Sequence, residues 1–242
     1  MMSRILIQDK LGKAYIVYIK DWINSLLGSA DYLKLVDATN ISVIDENGVT
    51  SWSNIIAISK RKSRGNAIKI ITKSGYEMIN NKSFLIWDGS KLVSKEIIRI
   101  GDLVPICNRI PNPNIIYNEV FGQKLNFRTG KEFAYYYHSI NENESDIAGW
   151  IVDGIISPEI LFANKAFLEG FVEIMENIKP KYLLEYVRFI KARVGLLPLT
   201  FNDIMIDSVA SVEYAVNEEY EYNLEIEGGG FGYCLFDGMV CG

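Results

Sequence analysis

The chain has 242 residues, of which 49% are hydrophobic and 23% charged, so it can form one large domain or two small ones with their own cores. This composition excludes disorder, collagen and coiled coil, and no apolar run approaches the roughly 18 residues of a transmembrane helix. Three cysteines predict free thiols in a reducing, intracellular compartment. The single histidine, His138, excludes a histidine-based metal cage, and we expect no cofactor.

Charge is divided unevenly along the chain. Residues 1–130 carry 18 Lys/Arg against 11 Asp/Glu, whereas residues 131–242 carry 7 against 19. A basic cluster, which we define as Lys60, Arg61, Lys62, Arg64, Lys69 and Lys73, lies in the first half. It either follows the phosphates of duplex DNA or forms a solvated edge strand whose charges discourage pairing with other sheets. The acidic second half would repel DNA, which favours the edge strand.

The first hundred residues predict short β-strands with no room for crossover helices. Apolar and β-branched segments (AYIVYI, NISVI, NIIAI, IKIIT and KLVSKEII) are separated by turn-forming pairs. These pairs are Leu11-Gly12, Asn47-Gly48, Arg64-Gly65, Ser74-Gly75 and Asp88-Gly89. One short helix is expected in KDWINSLLGSADYL, ending at Gly28.

The pattern changes at IPNPN (110–114), whose two prolines indicate a boundary. Helical spacing follows in TGKEFAYYYHSINE, NKAFLEGFVEIMEN and PKYLLEYVRFIKARVGLL. After Pro198 the strand pattern returns, and GGGFG is expected to turn the chain before a final hairpin. That hairpin would carry Cys234 and Cys241, either as buried free thiols or within reach of each other. The order predicts a β-domain of residues 1–110 and 200–242, interrupted by a helical segment of residues 111–199.

Taken together, these segments resemble an intein, the self-excising element of protein splicing. ISVIDENGVTSWSNIIAISK, IKIITKSG and KLVSKEIIRIGDLVPI resemble the N-terminal splicing region of inteins from archaeal family-B DNA polymerases, and EYEYNLEIEGGGFGYCLFDGMVCG resembles their C-terminal strands. LNFRTGKEFAYYYHSI and ILFANKAFLEGFVEIMEN resemble the two motif helices of a LAGLIDADG homing endonuclease. The resemblance implies a β-rich, horseshoe-like Hint fold with a reduced LAGLIDADG-type helical (α+β) insertion.

The resemblance also implies a set of splicing positions, and the residues there lack the necessary chemistry. The family uses a Cys or Ser nucleophile, a T-x-x-H histidine that protonates a departing amide nitrogen, and a final His-Asn pair whose asparagine cyclises. T-x-x-H aligns with Ile79 to Lys82, so Ile79 supplies no hydroxyl and Lys82, with an ordinary pKa of about 10.4, is a poor proton donor. Cys241 and Gly242 replace His-Asn, and Asn223 replaces the usual aspartate of the C-terminal strand.

Two further requirements are also unmet in the sequence. Ser3 is the only candidate for the first nucleophile, and its place at the start of the chain predicts a disordered residue. The endonuclease would need an acid at the end of each motif helix to hold divalent metals. Glu142 and Glu176 are the nearest carboxylates, and both are displaced from the expected position. No metal site is therefore expected.

These substitutions predict a free-standing, intein-derived protein that has lost splicing and endonuclease chemistry and serves as a structural or binding module. Its partner would be a protein, in the replication machinery or in a virus particle, with no role for a membrane. Two alternatives remain open. The first is a nuclease-dead DNA-binding protein that uses the basic cluster, and the second is residual N-terminal cleavage through Ser3.

Overall fold

The computed structural model describes residues 3–63, 66–80, 83–139, 150–152, 155–178, 184–216, 219–228 and 231–241. The chain divides into two compact units. Unit 1 comprises Met1–Leu11, Tyr15–Pro111 and Pro198–Gly242, and unit 2 comprises Gly12–Ala14 and Asn112–Leu197. Within the described ranges, no helix has both the length and the apolar character needed to span a bilayer.

Strands dominate unit 1 and helices dominate unit 2. The strands are β1 (Arg4–Gln8), β2 (Ala14–Tyr18), β3 (Tyr32–Ile44), β4 (Thr50–Lys62), β5 (Ala67–Thr72), β6 (Glu77–Asn80), β7 (Phe84–Trp87), β8 (Leu92–Lys95), β9 (Leu103–Cys107), β10 (Glu119–Val120), β11 (Gln123–Lys124), β12 (Ile151–Val152), β13 (Ile155–Ile156), β14 (Ile204–Ala215), β15 (Tyr220–Ile226), β16 (Gly232–Cys234) and β17 (Val240–Cys241). The helices are α1 (Ile19–Leu27), α2 (Phe127–Ser139), α3 (Pro158–Leu161), α4 (Lys165–Ile178) and α5 (Leu184–Val194).

The helix and the glycine turns predicted in the first hundred residues are confirmed, whereas β3 and β4, with 13 residues each, are longer than the short strands predicted. Helix α1 ends at Gly28, which has a φ of 55° and donates its N–H to the Asn24 carbonyl. Positive φ is also found at Gly12, Gly48, Gly75 and Gly89, the glycines of four predicted turns. The fifth turn, Arg64-Gly65, lies outside the described residues.

Two sheets of unit 1 are completed by strands from opposite ends of the chain. The larger sheet has the order β15-β4-β3-β1-β2, with β16 pairing to both β3 and β17. A second sheet has the order β6-β5-β14-β9, and β7 pairs with β8. The N-terminal strands therefore depend on C-terminal strands for their hydrogen bonds, because β15 pairs with β4 and β14 with β5.

The edge-strand prediction for the basic cluster is wrong, since β4 and β5 are each paired on both sides. The acidic strands of the C-terminal half supply the second neighbours. Arg61 lies directly opposite Glu221, and Lys69 lies opposite Glu213. Cross-strand pairing thus sets some basic residues of the first half opposite acidic residues of the second half, and opposite charges on facing positions stabilise the sheet.

The core of unit 1 is largely aliphatic, and many of its residues lie on the long strands. Ile41, Ile55, Ile58, Ile70 and Val209 are fully buried within one cluster. Burying side chains of this size stabilises the folded state by roughly 1.5–3 kcal/mol each. A smaller cluster contains Ile44, Leu85, Leu92, Cys107, Ile204, Cys234 and Val240.

Unit 2 confirms the three predicted helical segments, with shifted bounds: α2 begins before its segment, α4 is displaced by one residue, and α5 is shorter. Pro180, the first residue of the third segment, and the Asp153-Gly154 pair lie outside the described residues. Helix α3 and the hairpins β10–β11 and β12–β13 were not predicted. These elements have two to four residues each, which is too short for a periodic pattern.

Helices α2 and α4 approach each other closely at two glycines. A Cβ on Gly130 would overlap the carbonyl oxygen of Phe167 and lie 2.9 Å from its carbonyl carbon. A Cβ on Gly170 would overlap the carbonyl oxygen of Phe127 in the same way. Backbones at this separation bring Cα–H groups against carbonyl oxygens, a weakly favourable contact that only glycine permits here.

Aromatic side chains fill the space beside this crossing. Phe133 is 1% exposed and lies 5.4–6.2 Å, ring centre to ring centre, from the rings of Tyr137, Trp150, Phe167 and Phe171. Rings at these separations attract one another beyond the effect of their buried area. Burial, with smaller contributions from neighbouring Glu185 and Tyr186, raises the pKa of Tyr137 far above its usual value, so its hydroxyl stays protonated.

Candidate splicing site

The C-terminal hairpin fixes the position of Cys241. Its two strands pair Tyr233 with Cys241 and Cys234 with Val240. Because side chains alternate between the faces of a strand, Cys241 shares a face with Tyr233, and Cys234 lies on the opposite face. Cys234 accordingly packs in the smaller core cluster, while Cys241 packs against the larger one. The alternative in which the two thiols face each other across the hairpin is therefore wrong, and neither cysteine forms a disulfide bond.

Polar groups of Asn80 and Tyr233 lie close to the Cys241 thiol. The side-chain amide of Asn80, at the end of β6, donates to the Ser83 carbonyl oxygen at 2.8 Å and lies 4.0 Å from the sulfur of Cys241. The Tyr233 hydroxyl interacts with the same thiol from the facing strand. The segment that aligns with T-x-x-H thus meets the segment that aligns with His-Asn. Lys82 and Gly242, the remaining members of these two motifs, lie outside the described residues.

The electrostatics of this group do not favour proton transfer. Burial raises the pKa of Tyr233 well above its ordinary value, and the nearby Cys241 thiol raises it further. A phenol in this state donates a hydrogen bond but releases no proton at neutral pH. His138, the one imidazole of the chain, is exposed at the end of α2 in unit 2, away from the aligned splicing positions in the sequence.

Ser3 is ordered, contrary to the prediction of a disordered terminal residue. Its carbonyl oxygen accepts a hydrogen bond from the Ile19 N–H at 3.1 Å, and the residue is half-buried. Arg4, the next residue, contacts the C-terminal hairpin. The Arg4 carbonyl accepts from the Phe236 N–H at 2.9 Å, and the Arg4 guanidinium lies 4.3 Å from the centre of the Phe236 ring. The start of β1 and the C-terminal hairpin therefore lie side by side.

Asn223 lies elsewhere in the sheet. It is on β15 opposite Ser59, and strands β4 and β3 lie between β15 and β16. Its neighbours Tyr222 and Leu224 pack against the core, so Asn223 belongs to the other face of the strand. Of the predicted splicing positions, the structure thus places Ile79 next to Asn80, and Asn80 beside Cys241. Ser3 directly precedes β1, whose first residue, Arg4, is hydrogen-bonded to Phe236 of the C-terminal hairpin.

The basic cluster is partly neutralised. The Arg61 guanidinium lies 2.8 Å from the Glu221 carboxylate, and the Lys69 ammonium 2.7 Å from that of Glu77. Lys60 lies 5.9 Å from the centre of the Tyr220 ring. Lys62 and Lys73 are exposed, and Arg64 lies outside the described residues.

Of the two carboxylates predicted near the ends of the motif helices, one lies within the described residues. Glu176 forms an ion pair with Lys191 at 3.1 Å, and Glu142 lies outside the described residues. Across the described ranges, no three His, Cys, Asp or Glu side chains are grouped so that they could hold a metal ion. The divalent metals of a LAGLIDADG nuclease do not fit the donors found here, so no metal-dependent step is derived.

Sequence reasoning missed Asn80 and Tyr233. The Asp237-Gly238 pair marks the turn of the final hairpin, but counting outward from a two-residue turn there would place Cys234, not Tyr233, opposite Cys241. Asn80 lay within the aligned T-x-x-H segment, but at a position where the family motif specifies no residue.

The fold and the meeting of both chain ends define the Hint fold found in inteins. No protein family and no curated protein matches the sequence. Among solved structures, the chain is similar to the transcription factor IIB Mvu mini-intein, with a TM-score of 0.55 at 11% identity over 99% of this chain and 96% of that one. It is also similar to an intein from a hyperthermophile, with a TM-score of 0.53 at 11% identity over 99% and 95% of the two chains. Likeness at this identity establishes the fold.

Proposed function

We propose that this chain is an intein-derived Hint protein that no longer splices and serves as a structural or binding module. One observation carries the proposal: the two ends of the splicing site meet at Asn80 and Cys241, and the residues there are an amide, a thiol and the Tyr233 phenol. None of these supplies the imidazole proton donor or the cyclising asparagine that the reaction needs. The scaffold is kept while the chemistry is absent.

We further propose that unit 2 descends from a LAGLIDADG endonuclease. The proposal is supported by a reciprocal contact between α2 and α4. Gly130 packs on the carbonyl of Phe167, three residues before Gly170, and Gly170 packs on the carbonyl of Phe127, three residues before Gly130. This is the relation expected of two motif helices around a local two-fold axis. If Gly130 and Gly170 are equivalent positions, then Tyr135 is equivalent to Met175 and Tyr136 to Glu176. Neither of these pairs consists of two acids.

Loss of splicing is tested by placing the chain between two reporter domains and measuring product masses. We expect intact precursor, because no group at the site protonates a departing amine or cyclises. Hydroxylamine, which cleaves esters and thioesters, and a thiol reductant, which cleaves thioesters, should release no flank. Free or ligated reporters would overturn the proposal. In that case separate Ser3→Ala and Cys241→Ala variants show which residue acts, and the Ser3→Ala variant decides the alternative of residual cleavage through Ser3.

Duplex-DNA binding by the basic cluster stays an alternative prediction. Among the described residues, Lys60, Lys62 and Lys73 have no carboxylate partner, so about three phosphate contacts are available. Binding through them should give a slope of log affinity against log salt of about −3. A gel shift with duplex DNA measures it, with Lys62→Gln plus Lys73→Gln as the test variant and Lys165→Gln, on α4, as its control. No shift at low ionic strength removes this alternative.

A further inference from the structure

The β10–β11 hairpin ends in an unusual residue. Its two-residue turn, Phe121-Gly122, has φ values of 49° and 77°, the pattern of a type I′ turn. Glycine, asparagine and aspartate suit this pattern, whereas a phenylalanine in the left-handed region is strained. Asn202, the other non-glycine residue with positive φ among those described, is of a type that tolerates this conformation.

Phe121 is also 76% exposed, so its ring contributes little to the core. The base of the hairpin is held firmly. The Leu125 N–H donates to the Asn118 carbonyl at 2.8 Å, and the Asn164 side-chain amide donates to the Leu125 carbonyl at 2.8 Å. Val120 and Leu125 are buried. The fold therefore holds an aromatic ring rigidly in water at the expense of backbone strain, which is a mark of a contact surface.

The charges around the ring indicate which partner fits. Glu119 and Lys124 are register partners on the two strands, and both are exposed. Among the described residues neither forms an ion pair, so both charges are available. The tip carries no excess positive charge that would attract a phosphate backbone or an anionic lipid surface. One acid and one base on either side of an aromatic ring make a patch that is complementary to itself.

We propose that this hairpin tip is a self-association surface, in which a second copy of the chain docks about a two-fold axis. The two Phe121 rings would pack together, and Glu119 of each copy would face Lys124 of the other, as an isologous contact requires. A hairpin tip buries little area, so the association is weak and concentration-dependent. This proposal rests on the binding role proposed above and specifies a second copy of the chain as the partner.

Sedimentation velocity between about 1 µM and about 1 mM, the range in which small interfaces associate, tests the proposal on the full chain. Phe121→Asn should weaken self-association at least about tenfold while moving the urea midpoint of unfolding upward, since asparagine suits the turn. Tyr214→Ser, which removes another exposed aromatic ring (85% exposed), should leave association unchanged.

Charge reversal gives an independent readout. Glu119→Lys and Lys124→Glu should each weaken association by placing like charges together, and the double reversal should restore it. A wild-type chain that stays monomeric throughout, a Phe121→Asn variant that associates normally, or one that unfolds more easily would overturn the proposal. The reporter-fusion experiment is unaffected by any of these outcomes, so failure of the self-association surface is distinguishable from failure of the proposed function.

Discussion

Replacing Gly170 by alanine is expected to lower the free energy of unfolding of unit 2 by about 3 kcal/mol. The added Cβ would overlap the Phe127 carbonyl oxygen and lie 2.9 Å from its carbonyl carbon. These are backbone atoms inside a helix, so α2 and α4 would have to separate. Separation also loosens the aromatic cluster around Phe133, which loses favourable contacts. Gly130→Ala should act in the same direction, because its Cβ would overlap the Phe167 carbonyl.

The sign of this effect is informative, since alanine in an unconstrained helix is favoured over glycine by about 1 kcal/mol. Hydrogen exchange with mass spectrometry measures the effect, because it reports α2 and α4 separately from unit 1. We expect exchange in these helices to become about 100-fold faster. Arg128→Ala is a suitable control, because its side chain is 88% exposed and its ion pair with Glu132 contributes only a few tenths of a kcal/mol. Unchanged or slower exchange in Gly170→Ala would contradict the close packing.

The second large effect is expected at Gly232, beneath the C-terminal strand. A Cβ there would lie 2.7 Å from the Cys241 carbonyl oxygen and 2.6 Å from Leu85 Cδ1. The leucine side chain can rotate, but the carbonyl belongs to β17, so Gly232→Ala should displace this strand. We expect a loss of about 2–3 kcal/mol of stability and faster reaction of the Cys241 thiol with a thiol reagent.

Labelling kinetics followed by peptide mass analysis distinguish Cys241 from the buried Cys107 and Cys234. Gly75→Ala serves as a matched glycine control. Its φ of 87° makes the substitution strained, but a Cβ there meets open space. It should therefore cost about 1–2 kcal/mol without changing the labelling of Cys241. Equal labelling rates in Gly232→Ala and wild type would contradict the close contact between Gly232 and the Cys241 carbonyl oxygen.

Local chemistry made much of the secondary structure predictable. The glycines of turns are recognisable in the sequence because only glycine adopts positive φ easily, and four of the predicted turn glycines do so. The longer helices are recognisable because their apolar residues recur at helical spacing. Short elements such as α3 and the β10–β11 hairpin carry no such period. Phe121 shows the limit, because no preference of phenylalanine predicts a left-handed turn position.

Long-range pairing was the harder part of the prediction. Alternating apolar residues in β4 indicated a strand but not its neighbours, and the Lys and Arg residues of the strand suggested an edge. Only the pairing with β15 shows why those charges are present. For the candidate site, the aligned motifs located Ile79 and Cys241, whereas the hydrogen-bonding amide of Asn80 became visible through its contact in space.

The pairing of β4 with β15 and of β5 with β14 also constrains how the protein reaches its native state. On the ribosome, the first hundred residues emerge as a positively charged chain whose central strands lack one neighbour until the acidic strands arrive, well over a hundred residues later. Contacts so distant along the chain imply high contact order and slow folding. Nascent chains that stop before residue 220 would expose unpaired strand edges, so they should need chaperones to avoid aggregation.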